Sequence, residues 1–227
     1  MRWRGANPEY EKLEGSLQQQ LDELKARARP LVSPATTEAQ ERAIEELRQS
    51  GLAGRILPVG ALAPAFELPD SNGKIFRSVD LLARGRLVIS FFRGRWCPYC
   101  ITELEAWEHA RSEVEAAGAS LIAISPQTPR QTSFLVDQHR LSFLVLCDAA
   151  NRVARAFGLI HSLPEYLRQI YQRSFINLPN SNGDSSWELP LPATYVLERD
   201  ALVLFASADP DYTRRPDPAV VLRVLAS

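Results

Sequence analysis

The chain has 227 residues, 45% of them hydrophobic, and a formal net charge of -1. That length supports one sizeable core with an appendage. The near-neutral charge leaves no electrostatic footprint for nucleic acid or an acidic membrane surface, and no apolar run approaches the ~20 residues that cross a bilayer.

The first stretch, MRWRGANPEYEKLEG, lacks the apolar segment of a signal peptide. Three cysteines are too few, and odd in number, for a secreted disulfide framework. A cytoplasmic protein with a working dithiol is the expectation.

Residues 1–54 are read as a helical extension and 55–227 as the main domain. Leu13, Leu17, Leu21, Leu24, Ala28 and Leu31 recur at helical spacing and predict one apolar stripe. Pro30 and Pro34 close that helix. Thr37 is the expected cap of a second one, with Ile44 and Leu47 facing inward and Gly51 as its stop. The stripe either packs on the body or supports pairing with a second copy.

From Gly60 the texture changes. Residues 65–69 and 74–77 read as strands joined by Asn72-Gly73, a hairpin signal. Residues 87–92 form a continuous apolar run, suited to a central strand covered on both faces. A helix from Cys97 to about Ala117 stops at Gly118. A strand over 119–125, a helix over 128–139, a strand over 141–147 and a helix over 149–157 continue the alternation of parallel βαβ units. Between Gly158 and Pro190 lies an insertion, helical over 163–174 and loop-like over 177–184. It serves either as a lid or as a tolerated surface addition. Strands over 194–198 and 203–206 follow, then a helix over 217–225 with Pro218 in its first turn.

The chemistry sits in LVISFFRGRWCPYC. A strand, a short turn and then Cys97-Pro-Tyr-Cys100 opening a helix is the thioredoxin-like redox arrangement. The thiolate is the nucleophile. Cys97 stands at the helix N-terminus, where unpaired N–H groups and the helix dipole favour negative charge. Its pKa is expected below the free value of ~8.5. Cys100, one turn deeper on the same face, is expected to be less exposed, with the higher pKa. Cys97 then attacks and Cys100 resolves. Arg93 and Arg95 either lower the Cys97 pKa further or serve as solvated charge. Trp96 and Tyr99 flank the nucleophile as an apolar collar or as packing for the turn. Thr194 and Pro192 lie where the strand of LPLPATYVLERD begins.

These segments carry a resemblance. APAFELPDSNGK, FFRGRWCPYC and FLVLCDAANRVARAFGL, in that order, resemble the alkyl hydroperoxide reductase and thiol-specific antioxidant family, the peroxiredoxins, in a branch that carries CxxC. The resemblance covers residues 60–207. It implies an α/β fold, thioredoxin-like with an N-terminal β-hairpin, to which this chain adds an N-terminal helical segment. It also implies thiol-dependent reduction of hydroperoxides, recycled by thioredoxin or a similar thiol reductant. By position Cys97 falls on the family's peroxidatic cysteine. Two features depart from the family pattern. Peroxiredoxins carry proline seven residues before that cysteine and threonine or serine three before it, whereas this chain has Ser90 and Gly94. The family's arginine on the late strand near Pro192 has no counterpart there. Thioredoxin-like folds place a cis-proline against CxxC, so Pro192 is expected to be cis.

The remaining residues point away from other chemistry. Cys147 ends an apolar strand and reads as a core thiol. His109, His139 and His161 are scattered. A structural zinc site takes four ligands and only one CxxC exists, so neither metal nor cofactor is expected. The leading reading is a thiol peroxidase. Its rivals are a protein disulfide oxidoreductase and a non-catalytic binding protein on the same fold.

Overall fold

The computed structural model describes residues 15–227. Leu13, the first member of the predicted stripe, lies outside them. Helix α1 (Leu17–Ala28) opens with a capping box, in which Ser16 and Gln19 satisfy each other's backbone N–H groups. Leu17, Leu21 and Leu24 are buried, and α1 packs on the helix that follows the CxxC motif. The stripe is therefore covered within one chain. Leu31 leaves it: a 3₁₀ turn over Arg29–Leu31 carries this side chain into solvent, 80% exposed.

Helix α2 (Pro34–Gln49) is capped by Ser33 rather than Thr37. The Ser33 hydroxyl accepts the Thr36 N–H at 3.2 Å, and Pro34 takes the first helical position, where no N–H is needed. So Pro34 opens a helix instead of closing one.

Strands β1 (Glu67–Pro69) and β2 (Ile75–Arg77) form the hairpin, and Asp70 Oδ1 accepts the N–H groups of Asn72 and Lys74 across its turn. After helix α3 (Ser78–Leu82) comes strand β3 (Arg86–Phe91), the centre of the molecule. Helix α4 (Pro98–Ala116), β4 (Ala119–Ser125), α5 (Pro129–His139), β5 (Leu144–Cys147) and α6 (Arg152–Ala156) complete the alternating segment. Strands β8 (Ala193–Leu197) and β9 (Val203–Ala208) and helix α9 (Pro218–Leu225) close the chain. The main sheet runs β5-β4-β3-β8-β9. β3, β4 and β5 are parallel, while β8 and β9 pair antiparallel.

The continuous apolar run of β3 has a simple cause. Leu87, Ile89 and Phe91 enter the core on one sheet face, and Val88 and Phe92 enter the core under α4 on the other. Neither face meets water, so the usual polar alternation disappears. Ser90 is the polar exception, and it faces α4.

The insertion is built rather than loose. Strands β6 (Ile160–Ser162) and β7 (Glu188–Pro190) pair antiparallel around helices α7 (Glu165–Arg173) and α8 (Leu178–Asn182). The stretch expected to be a loop thus contains a short helix, capped by Asn177. Leu163, Leu167, Tyr171, Leu178 and Leu189 bury against Ala43 of α2, and Trp96 of the CxxC turn packs on the same cluster.

The Leu191–Pro192 bond is trans, as is every peptide bond among the described residues. This corrects the expected cis-proline. The chain runs extended from β7 into β8, with the Leu191 N–H donated to Leu159 O at 2.8 Å and Ala193 paired to Phe91. The ordinary trans form, favoured by ~0.5–1 kcal/mol, serves that path.

Candidate active site

Residues 93–96 leave the end of β3 and deliver Cys97 to the N-cap of α4. The Cys97 N–H closes the turn on Gly94 O at 3.0 Å, and its carbonyl accepts the first helical bond from Ile101 at 3.1 Å. Pro98 takes the first helical position. Gly94 has φ +149, and a Cβ there would lie 2.5 Å from Trp96 Nε1. No hydroxyl side chain fits at 94, because the Trp96 indole already fills that space.

Both thiols are buried, Cys97 at 1% and Cys100 at 0% exposure, and both are free. The expected difference in exposure between them is therefore only one per cent. Their chemistry separates them nonetheless. Burial pushes the Cys97 thiol up, but a hydrogen bond from Cys100 and the charges of Arg93 and Arg215 outweigh it, leaving a pKa of about 6. Burial, that same hydrogen bond and the neighbouring Cys97 charge drive Cys100 well above the ordinary thiol range. One negative charge is shared by the pair, and it rests on Cys97.

The two arginines before the motif part company. Arg95 is exposed and turns to Gln131 of α5. Arg93 is buried at 5% exposure. Its guanidinium lies 4.0 Å from the Tyr212 ring centroid and 4.9 Å from that of Trp96, the geometry of cation–π attraction. It also donates to the Tyr171 hydroxyl at 3.1 Å. Among the described residues no carboxylate pairs with Arg93, and its Nε has no hydrogen-bond partner. Trp96 and Tyr99 each meet a tyrosine from elsewhere, Trp96 packing on Tyr171 at 5.4 Å and Tyr99 on Tyr212 at 5.7 Å between ring centroids. His161 of β6 feels the same arrangement. Burial and the Arg93 charge lower its pKa to about 4, so it is neutral at pH 7.

A second guanidinium reaches Cys100. Arg215 Nε binds Glu103 Oε2 at 2.6 Å, and Arg215 Nη2 donates to Cys100 Sγ at 3.8 Å. This ion pair is 1% and 0% exposed. Ser90 donates to the other Glu103 oxygen at 3.3 Å. Thr194 stands opposite Ser90 on β8 and is fully buried. Pro192 is one residue beyond the Ala193–Phe91 pair, beside the end of β3 from which the CxxC turn departs.

Glu103, Tyr171 and His161 join the site without having been expected there, and so do Tyr212 and Arg215 from the polar stretch 211–215, whose position relative to the cysteines the sequence leaves open. Glu103 carried one readable signal. It lies two turns into α4 among Ile101, Leu104 and Trp107, a charged residue on a face that has to be buried. Cys147 is the core thiol expected, donating to Thr132 Oγ1 at 3.3 Å.

A model of the AhpC/TSA family matches residues 59–206. The chain belongs to the AhpC/TSA family. Curated family relatives include the putative peroxiredoxin bcp of Haemophilus influenzae, 29% identical over 103 residues, 45% of this chain and 66% of that protein. Peroxiredoxin Bcp of Escherichia coli K12 is 27% identical over 103 residues, 45% of this chain and 65% of that protein. The matched segments thus span just under two thirds of these relatives. Among solved structures, peroxidoxin BcpB from Mycobacterium tuberculosis superposes with a TM-score of 0.59 at 23% identity, over 75% of this chain and 97% of that one. Peroxiredoxin 6 of Arenicola marina gives 0.60 at 17% identity, over 75% and 73%. These likenesses establish a thioredoxin-like peroxiredoxin fold. Both Arg215 and helix α1 lie outside the segment matched by the family model.

Proposed function

We propose that this chain is a thiol-dependent peroxidase that reduces hydroperoxides through Cys97 and Cys100. The observation that carries the reading is a pair of buried free thiols one turn apart at the start of α4, with the charges of Arg93 and Arg215 drawing the Cys97 thiol down while burial pushes Cys100 up. The Cys97 thiolate attacks the terminal peroxide oxygen. The O–O bond breaks, Cys97 becomes a sulfenic acid, and the departing alkoxide or hydroxide takes a proton. Cys100 then attacks the oxidised sulfur, the S–O bond breaks, water leaves, and a Cys97–Cys100 disulfide remains. Two electrons from a thioredoxin-like thiol partner restore both thiols. Cys97 at 1% exposure favours a small peroxide over a protein disulfide as the oxidant. A reducing cytoplasm suits this cycle, and residues 1–54 act as an extension on the domain formed by 55–227.

The test is peroxide consumption with thioredoxin or dithiothreitol recycling, run beside insulin-disulfide reduction. Cys97→Ser abolishes turnover, and Cys100→Ser permits one oxidation but no internal disulfide. Insulin reduction without peroxide turnover refutes the assignment.

One observation favours a second reading, with the two roles exchanged. It is Cys100, not Cys97, that receives the direct guanidinium hydrogen bond, from Arg215. Counted back seven and three residues from Cys100, the family's proline and hydroxyl positions fall on Arg93 and Cys97. Under this reading a sulfenic acid forms on Cys100 in the Cys97→Ser protein, which mass spectrometry after dimedone trapping detects.

A further inference from the structure

Helix α1 and the segment after β9 meet beside the helix of the dithiol. Helix α1 packs on α4, the helix that carries Cys100 and Glu103. It also holds the segment after β9. Gln18 Nε2 donates to Thr213 O at 3.3 Å, and Gln18 Oε1 accepts the Arg215 N–H at 3.1 Å. The Leu17 N–H donates to Asp217 Oδ2 at 2.8 Å, and Lys25 Nζ lies 3.9 Å from Asp211 Oδ2. The segment braces itself as well, since Asp211 Oδ1 accepts both the N–H and the hydroxyl of Thr213. Arg215 then spreads its donors inward: Nε to Glu103, Nη1 to the carbonyls of Tyr212 and Arg214, Nη2 to Cys100. The N–H of Arg215, the backbone group that fixes where this fork starts, is bonded to Gln18.

We propose that α1 is a positioning element of the dithiol site, acting through Gln18, which holds Arg215 on Cys100. Deepening the peroxidase reading, and resting on Cys100 as the resolving thiol, this gives the N-terminal helix a role in the second half of the reaction. While Cys97 is a thiolate, its charge keeps Cys100 protonated. Once Cys97 has become a sulfenic acid that charge is gone, and Arg215, hydrogen-bonded to the Cys100 sulfur, stabilises the Cys100 thiolate together with the charge of Arg93. Cys100 loses its proton, its sulfur bonds to that of Cys97, the S–O bond breaks, and the hydroxide combines with the proton as water. A guanidinium displaced from Cys100 stabilises that thiolate less, because the attraction falls with distance.

The test titrates Cys100 alone, by ultraviolet thiolate absorbance, in the full chain carrying Cys97→Ser and Cys147→Ala. No peroxide is involved, so failure of the peroxidase reading leaves this measurement intact. In that background Gln18→Ala raises the Cys100 midpoint by about half a pH unit, about a threefold loss of thiolate at fixed pH below the midpoint. Arg215→Lys, which keeps the charge but loses the fork, raises it further. Arg29→Ala, exposed near the far end of α1, leaves it in place. With all cysteines present, Gln18→Ala slows disulfide formation after a peroxide pulse, and dimedone traps more Cys97 sulfenic acid. A Cys100 midpoint unmoved by Gln18→Ala overturns the proposal, whether or not Arg215→Lys moves it. Shifted midpoints in a chain that consumes no peroxide would uphold it and overturn the peroxidase reading alone.

Discussion

The Arg93→Met variant isolates the electrostatic source of Cys97 reactivity. Methionine keeps an apolar stem between Trp96 and Tyr212 but removes the charge. The exchange should be tolerated, since among the described residues no carboxylate loses a partner. What is lost is the cation–π attraction, ~0.5–2 kcal/mol, and the bond to the Tyr171 hydroxyl. An opposite charge at close range lowers a pKa by ~1–3 units. Arg93 shares this task with Arg215 and with the hydrogen bond from Cys100, so the lower end applies, and the Cys97 midpoint rises by about one unit, from about 6 to about 7. Near pH ~6 the thiolate fraction then falls from about one half to about one tenth, while near pH ~8 it falls only from about 99% to about 91%. Stopped-flow oxidation by hydrogen peroxide across this range should show a roughly fivefold defect at the acidic end that largely vanishes at the basic end. A defect of equal size at every pH, or an unmoved midpoint, would refute the assignment of Arg93 as the charge that holds the Cys97 thiolate.

The other expectations use different readouts. Cys97 has a folded pKa of about 6 against an ordinary value of 9.0; the unfolded chain therefore holds the proton between those limits, and stability of the reduced protein rises with pH across that window. Urea unfolding at several pH values should show this rise, and Cys97→Ser should flatten it. Glu103→Leu leaves Arg215 as an unpaired buried cation and should destabilise by about 3–5 kcal/mol. Adding Arg215→Met should recover most of that loss, and a double variant no more stable than Glu103→Leu would contradict the ion-pair account. Leu21→Ala, in the buried stripe of α1, should cost about 2–5 kcal/mol in the same assay. Cys147→Ala should retain peroxide turnover and the Cys97–Cys100 disulfide, whereas a Cys97–Cys147 disulfide in the parent, seen by mass spectrometry, would reassign the resolver.

By itself the sequence determined the local frame of the site. The apolar run of β3, the short turn, proline at the first helical position and cysteines one turn apart are near-neighbour signals, and backbone sterics and helix-end electrostatics read them directly. The stripe of α1, the turn at Asn72-Gly73 and the parallel alternation of strands and helices are legible for the same reason. The depth of Cys97 was not, because burial depends on what lies over a residue. Around the motif, Tyr171 from the insertion packs on Trp96 and Tyr212 from the segment after β9 packs on Tyr99, and no periodicity announces either. Arg215 sits 115 residues from Cys100, and Tyr171 sits 78 from Arg93. Only the packing of helices and sheet brings such groups together, since capping, propensity and period act over a few residues. The tertiary structure therefore decided which of the two arginines before the motif is buried, which distant arginine serves the dithiol, and why position 94 has no room for a side chain.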